Sequence, residues 1–398
     1  MRVALVTHRI ESGQPGGAGR SLLALVEHAR DVEFVAFVPK ADAMAGQLAD
    51  RGVEVEVVPF RNCFVHGRSP LRSAIRSARS LAMNRRAVRE IVRGLRSRRV
   101  DLVHSNSLMT DVGYEAARHA RIPHLWHIRE IISDQHGRPV LGQSRLRAKV
   151  RRSEGCVAVS ETAADALWTR GVAQSRLREV VYNGVFSREE IRRIDTALDR
   201  VDPSIATGLK VCIIGGVQPA KGQDIAIAAV ARLRQSGVPA ELNIAGGGNL
   251  EWARSVCETE DVVDSVRFLG RVDGPWDVLG SSHICLICSE AEAMGRVAAE
   301  ALASGTPIVA TRGGATDELL GGGLRGTLVN REPEAVAGAI AEVWNEYPAA
   351  DAKAQAAMPW AREVFSVEAY ARRMCQVYAQ LTALDLMDGT RGTTSNGE

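Results

Sequence analysis

Residues 284–311 read ICLICSEAEAMGRVAAEALASGTPIVAT. The stretch opens on an apolar run, Ile284–Cys288, short enough for a buried strand. A helical pattern, GRVAAEALAS, follows and stops at Gly305, a residue type that ends helices at low steric cost. Thr306 and Pro307 lead into a second apolar run, Ile308–Thr311. Strand, helix and strand over 28 residues form a βα unit of a parallel sheet. The loop SEAEAM then lies at a strand's carboxyl end and feeds a helix N-terminus. There the first amides are unpaired and the helix dipole is positive, which suits a phosphate or diphosphate. Gly295 lets the backbone approach such a group closely. Glu292 precedes the helix and Glu300 lies about one turn inside it, each placed to accept hydrogen bonds from hydroxyl groups. Acids near a helix start are also ordinary, so the spacing alone leaves both readings open.

The same alternation runs outward in both directions. Upstream, strands are expected in RVALVTH, VEFVAFVP, EVEVVPF, DLVHSN, HLWHI, CVAVS and REVVYNG. A second series follows: KVCIIGG, ELNIAGGG, VRFLG, ICLICS, PIVAT and GTLVN. The polar segment Ser187–Gly208 separates them and reads as a connection. A chain of 398 residues is long for one core. The pattern therefore predicts an α/β protein of two doubly wound, Rossmann-like domains. The expected boundaries are 1–190, 191–364, a final helix over 365–386, and a disordered polar tail over 387–398. Ligands of such sheets bind at the strands' carboxyl ends, and the default site is a central cleft.

Composition narrows the function classes. The formal net charge is only +3, with 45% hydrophobic and 24% charged residues, so no global attraction to nucleic acid is implied. No run approaches the ~18 apolar residues of a membrane span, and the N-terminal apolar run is too short for a signal peptide. Seven scattered cysteines favour free thiols in a reducing, cytoplasmic setting. Cys285 and Cys288 form a CxxC inside a strand, where they point to opposite faces. His124 and His127 are likewise split across a strand. No paired aspartates, GxSxG or HExxH occur. GQPGGAGRS fails the dinucleotide fingerprint, because Leu22 stands at its third glycine position.

One region is unevenly charged. Residues 61–99 hold 12 arginines against one acid, Glu90. Leu71, Ile75, Ala78, Leu81, Val88, Ile91, Val92 and Leu95 fall near one helical face of an expected helix pair, with arginines 72, 76, 79, 86, 89 and 93 around it. The segment reads either as a solvated face or as a surface for an anionic acceptor or bilayer, with Arg72, Arg76 and Arg79 as candidate contacts.

The words of the opening stretch resemble the signature of the large retaining GT-B glycosyltransferase family, which includes sucrose synthase and bacterial sugar transferases. That signature is two glutamates separated by seven residues, here Glu292 and Glu300, then Ala301, Gly305 and Pro307. GGAG, AVSE, YNGV, KGQD, IAGGG and FLGRV occur in the family's order. The resemblance implies sugar transfer from a nucleotide-sugar donor to an acceptor, with retention and with neither metal nor cofactor. It places Lys221 on the donor diphosphate, Glu300 on the ribose, and Glu292 on the transferred sugar. Ala293, Met294, Gly295 and Arg296 lie against sugar and phosphate. Val272 meets the base through its backbone, His127 lies beside the sugar, and Gly16 and Gly17 face the phosphates. Arg20 and Arg129 are further candidate contacts for acceptor or anion. One departure stands out: the family's arginine before the lysine is replaced by Gly216, with Arg296 or Arg129 as candidate substitutes. A GT-B epimerase or phosphorylase, or a non-catalytic sugar-nucleotide-binding protein, are the rival expectations. The acceptor is expected to be a soluble small molecule or glycan, an anionic or lipid-linked one being the alternative.

Overall fold

The structure is a computed structural model that describes residues 1–8, 16–65, 70–131, 138–168, 177–197 and 208–391. Contacts divide the chain into two compact units, Met1–Gly184 with the segment from Val367 onward, and Val185–Ser366.

The first unit contains β1 (Arg2–Val6), β2 (Glu33–Val38), β3 (Glu54–Val57), β4 (Phe64–Val65), β5 (Leu102–Ser105), β6 (His124–Ile128), β7 (Arg138–Pro139), β8 (Gly155–Ala158) and β9 (Leu177–Val180). Seven of these form one sheet in the order β3-β2-β1-β5-β6-β8-β9, every pair parallel. A parallel sheet is covered on both faces, which is why Val3–Val6 are apolar without alternation. Val3 and Leu5 face the helix Gly17–His28 and, from the C-terminal helix, Tyr370, Met374 and Tyr378. Ala4 and Val6 face the other way, with Phe37, Ile91 and Leu95. Fully burying a side chain such as Ile91 or Leu95 is worth about 2 kcal/mol. Gly94 allows this approach, since a β-carbon there would stand 2.7 Å from the Phe37 ring.

The second unit contains β10 (Leu209–Ile214), β11 (Ala240–Ala245), β12 (Val266–Gly270), β13 (Ile284–Ile287), β14 (Ile308–Thr311) and β15 (Thr327–Val329). They form a parallel sheet in the order β12-β11-β10-β13-β14-β15. Val211, Ile213, Leu242, Leu286 and Val309 pack with Ile227, Val230, Val336 and Ile340 of two covering helices. The strand order reverses at β10, flanked by β11 and β13. The loops after β10 and β13 therefore open at the switch point where such sheets bind ligands.

The thirteen expected strands are all present. Four details differ from the sequence reading. Arg188–Ala197, inside the expected connection, is a helix of the second unit, anchored by buried Ile191 and Ile194 three residues apart; residues 198–207 lie outside the described residues. The arginine-rich segment is one continuous helix, Pro70–Ser97, instead of a pair, because nothing interrupts it before Gly94 and Pro70 suits a first turn. The last helix runs Val367–Arg391, taking in residues 387–391 of the expected tail; residues 392–398 lie outside the described residues. β4 and β7 form a short antiparallel ribbon that the apolar pattern did not reveal.

Candidate active site

In the second unit the site is set by backbone. After β10 the chain passes Gly215 and Gly216 to a single 3-10 turn, Pro219–Lys221, closed by Gly222 at φ 74°. A β-carbon on Gly222 would overlap the Cys288 carbonyl oxygen, so only glycine lets this loop lie on the end of β13. The Glu290 N–H donates to the Ala220 carbonyl at 2.9 Å. Arg331 bridges the two loops, donating to the Cys288 carbonyl at 3.0 Å and the Pro219 carbonyl at 3.2 Å. The result presents Lys221 to Glu292, and their side chains form an ion pair. Glu292 is fixed in turn from behind: its carbonyl accepts from Ala315 N–H at 2.8 Å, and a β-carbon on Gly314 would overlap its backbone.

Gly295, at φ 77°, turns the chain into the helix Arg296–Ser304. Its N-cap residue, Gly295, has no side chain to cap the first amides, and no acid lies in the first turn. Its leading amides and positive end thus stand beside the Lys221–Glu292 pair. Met294 and Glu300 are buried, and Ala293 is half-buried. Arg296 donates to the Glu300 carboxylate at 3.4 Å and to the Val185 carbonyl at 3.1 Å, so its guanidinium is already engaged. Val272 is 37% exposed just past β12, two strands from β10 and hence about 10 Å along the sheet. Arg271, beside it, is exposed, and its side chain lies against Gly247.

In the first unit the polar groups around His127 are buried. Gly16 and Gly17 start the helix Gly17–His28, and Arg20 is exposed on its first turn. His127 has no exposed surface. Its Nδ1 lies 3.2 Å from His104 Nε2 and 3.3 Å from an Arg129 nitrogen, while its Nε2 has no partner among the described residues. Arg129 donates to Asn106 at 2.8 Å, Asn183 at 2.5 Å and the Tyr370 hydroxyl at 3.0 Å. His104 meets the Tyr378 hydroxyl at 2.7 Å. Burial, then the charge of Arg129, hold both His127 and His104 well below the usual histidine range. His127 is a neutral hydrogen-bonding group at pH 7, not a proton donor of the imidazolium type.

Lys221, Glu292, Gly295, Arg296 and Glu300 therefore gather in one place, with Gly216 on the adjoining loop. Arg129 is enclosed in a saturated network. Arg76 and Arg79 are exposed on Pro70–Ser97; the Arg72 side chain lies outside the described residues. The sequence reading missed Arg331 and Gly314, whose roles arise only when four loops meet. It also missed Arg271, in plain view inside FLGRV. The CxxC is inert: burial pushes the Cys288 thiol up to about 12. Among the described residues no cluster of His, Cys, Asp or Glu is arranged to hold a metal ion, and no helix is long and apolar enough to cross a membrane.

Comparison with known proteins gives the same picture. Residues 15–187 match the model for Glycosyltransferase Family 4, and residues 179–346 match Glycosyl transferases group 1. The chain is 31% identical over 170 residues to glycogen synthase of Mycobacterium tuberculosis, covering 42% of this chain and 41% of that one. It is 32% identical over 143 residues to a GDP-mannose-dependent phosphatidylinositol dimannoside mannosyltransferase of the same species, covering 35% and 37%. These matches span about two fifths of the relatives' lengths. The solved structure of HepE from Anabaena in complex with UDP superimposes with a TM-score of 0.75 at 21% identity, over 96% of this chain and 100% of that one. With two parallel sheets and two glycosyltransferase models in tandem that together span residues 15–346, the chain belongs to the GT-B glycosyltransferases.

Proposed function

We propose that the protein transfers a sugar from a nucleotide-sugar donor to an acceptor, with retention of anomeric configuration and without a metal. One observation carries the reading: Lys221 and Glu292 are paired beside the glycine-capped N-terminus of Arg296–Ser304, with Glu300 one turn inside it. The bond from the sugar's anomeric carbon to the diphosphate oxygen breaks, and its electrons stay on the diphosphate. Lys221 and the helix amides stabilise that charge, as preorganised donors do. The acceptor oxygen attacks from the face the diphosphate leaves, and its proton passes to the departing phosphate oxygen. Glu292 exchanges Lys221 for sugar hydroxyls and orients the sugar without bonding to it. Glu300 accepts from the ribose hydroxyls. Gly16, Gly17 and His127 serve the donor from the first unit, His127 through its unpartnered Nε2.

The names of two relatives set the first choices of donor. UDP is bound in the HepE structure, and GDP-mannose is the donor named for the mannosyltransferase. The proposed setting is the cytoplasm, consistent with seven free cysteines. A thermal-shift panel of nucleoside diphosphates is the first test. At 100 times its dissociation constant the right one adds about 2.7 kcal/mol. NMR of the product's anomeric proton then reports the stereochemistry. An inverted product, or donor turnover that needs no acceptor, would overturn the reading; the second result would favour an epimerase.

A further inference from the structure

The helix Pro70–Ser97 carries two apolar stripes where a helix lying on a sheet needs one. Ala87, Ile91 and Leu95 make the first and are buried in the core. Leu81, Val88 and Val92 make the second, with Val88 and Val92 also packing against the edge of that core. They are only half-buried and form one wall of a groove of about 950 Å³. Val140, Leu141 and Leu146 form the facing wall. Among the lining residues Lys149 pairs with Asp111 at 2.6 Å and Glu115 at 2.7 Å, which offsets one of the two carboxylate charges and leaves the arginines in excess.

The rim is strongly basic. Arg85, Arg89 and Arg93 follow one another at i, i+4 along the helix, and Arg145 stands on the opposite wall; all four are exposed lining residues. Among the described residues none of the four makes an ion pair. The helical rise puts the three-arginine ridge at about 12 Å in length. An exposed guanidinium fork matches a phosphate in two directions. Arginines alone would suit any anion, and apolar walls alone would suit any hydrophobe. Their combination selects an amphiphile with an acidic head. Among the described residues that line the groove there is no Phe, Tyr or Trp for base stacking, which disfavours single-stranded nucleic acid. Its volume sits at the upper end of small-ligand sites.

We propose that this groove takes up one acyl chain of an anionic phospholipid, with the headgroup phosphate on the Arg85–Arg89–Arg93 ridge, and so docks the protein on an acidic bilayer. The groove is lined by residues of the first unit alone, and the proposal stands whether or not the Lys221–Glu292 loops transfer sugar.

Co-sedimentation of the full chain tests it, using phosphatidylcholine vesicles with and without phosphatidylglycerol at low and high salt. The chain is expected to bind only the anionic vesicles and to keep part of that binding at high salt, where exposed charges are screened. Arg89→Glu with Arg93→Glu should abolish binding, and Arg145→Glu on the other wall should weaken it independently. Val88→Asn with Val92→Asn leaves the charge unchanged and should weaken vesicle binding at least about tenfold, through lost acyl burial. Circular dichroism and thermal midpoints close to the parent's establish that these variants fold. No binding to anionic vesicles would overturn the proposal. So would binding that the valine variants leave intact, since that is attraction to charge alone. Full displacement by soluble glycerol phosphate would also overturn it, by assigning the ridge to a free phosphate ligand.

Discussion

The two units hold their polar groups by different means. In the second, Lys221 and Glu292 are positioned by glycines: Gly222 and Gly314 each allow one loop to press on another's backbone. In the first, His104, His127 and Arg129 are positioned by side chains, in a closed network with Asn106, Asn183, Tyr370 and Tyr378. Backbone positioning leaves the charged ends half-exposed and able to change partners when a ligand arrives. Side-chain positioning saturates the groups and fixes them. The first arrangement suits binding and release; the second suits holding one hydrogen-bonding atom, His127 Nε2, at a set place.

The largest effect expected from this contrast is at Gly222. Gly222→Val introduces a β-carbon into the Cys288 carbonyl and forces a branched residue to positive φ. Strain at such a position costs about 1–3 kcal/mol, and the steric overlap adds about as much again. Urea unfolding should show a loss of about 3–5 kcal/mol, accompanied by loss of nucleoside diphosphate binding. A variant as stable as the parent would mean that the loop is not held by that contact.

Lys221→Ala separates chemistry from fold. The Lys221–Glu292 pair is partly exposed, so its loss should change stability by less than about 1 kcal/mol. Turnover should fall on the order of 10²-fold or more, the scale of one lost transition-state donor. Glu300→Ala should instead weaken nucleoside diphosphate binding by about tenfold, the cost of one charged hydrogen-bonding partner. Steady-state kinetics and calorimetry on the two variants distinguish these outcomes. Parent-like kinetics in both would remove the donor site from these loops.

The histidines give the first unit its own pH dependence. Burial lowers the His124 pKa to about 3 and holds His104 and His127 well below the ordinary 6.5. Below pH 6.5 the unfolded chain binds protons that the folded chain does not. Their stabilising effect is therefore complete above pH 6.5 and is lost as pH falls toward the folded values. Each contributes a slope of up to about 1.4 kcal/mol per pH unit. The second unit has one histidine, His283, which is also buried and shifted the same way. The first unit should unfold first on acidification, and His124→Gln should flatten its profile between pH 6 and pH 4. Hydrogen exchange resolved by segment would show this; simultaneous loss of protection in both units would contradict it.

This contrast also explains what could be read in the sequence. Strands of a sheet covered on both faces are continuous apolar runs, so RVALV and ICLI announce themselves. Glu292, Gly295 and Glu300 lie within nine residues on one loop and helix, so their geometry follows from spacing. The groove does not. Its walls come from Cys63, Ser80–Arg96, Asp111–His119 and Pro139–Lys149, and no local pattern says that these segments meet. The sequence reading accordingly fixed on Arg72, Arg76 and Arg79, while the groove is rimmed by the next turns of the same helix. Arg188–Ala197 was missed for a related reason: a helix this polar shows its role only through Ile191 and Ile194, which need a core to pack on.

The smallest expected effect is the most pointed test of the second unit. Gly216 stands where the family's second cation is expected, on the loop that leads to Lys221. Unlike Gly215 and Gly222, it has no positive φ. A β-carbon there would meet nothing nearer than the Gly247 carbonyl at 3.8 Å. The backbone therefore accepts a side chain, and Gly216→Arg should leave the thermal midpoint within a degree or two, as surface changes usually do. A half-exposed cation near a diphosphate is worth about 1 kcal/mol, so nucleoside diphosphate affinity should rise about fivefold. Gly216→Glu should lower it by a similar factor, and both changes should shrink at high salt. Arg271 provides the internal control. Its side chain already lies against Gly247, next to this loop, and if it supplies part of the missing charge, Arg271→Ala should weaken binding in the parent more than in Gly216→Arg. Equal losses in both backgrounds would show that Arg271 does not stand in for the absent arginine. An affinity indifferent to the sign of the charge at position 216 would show that this position does not face the diphosphate.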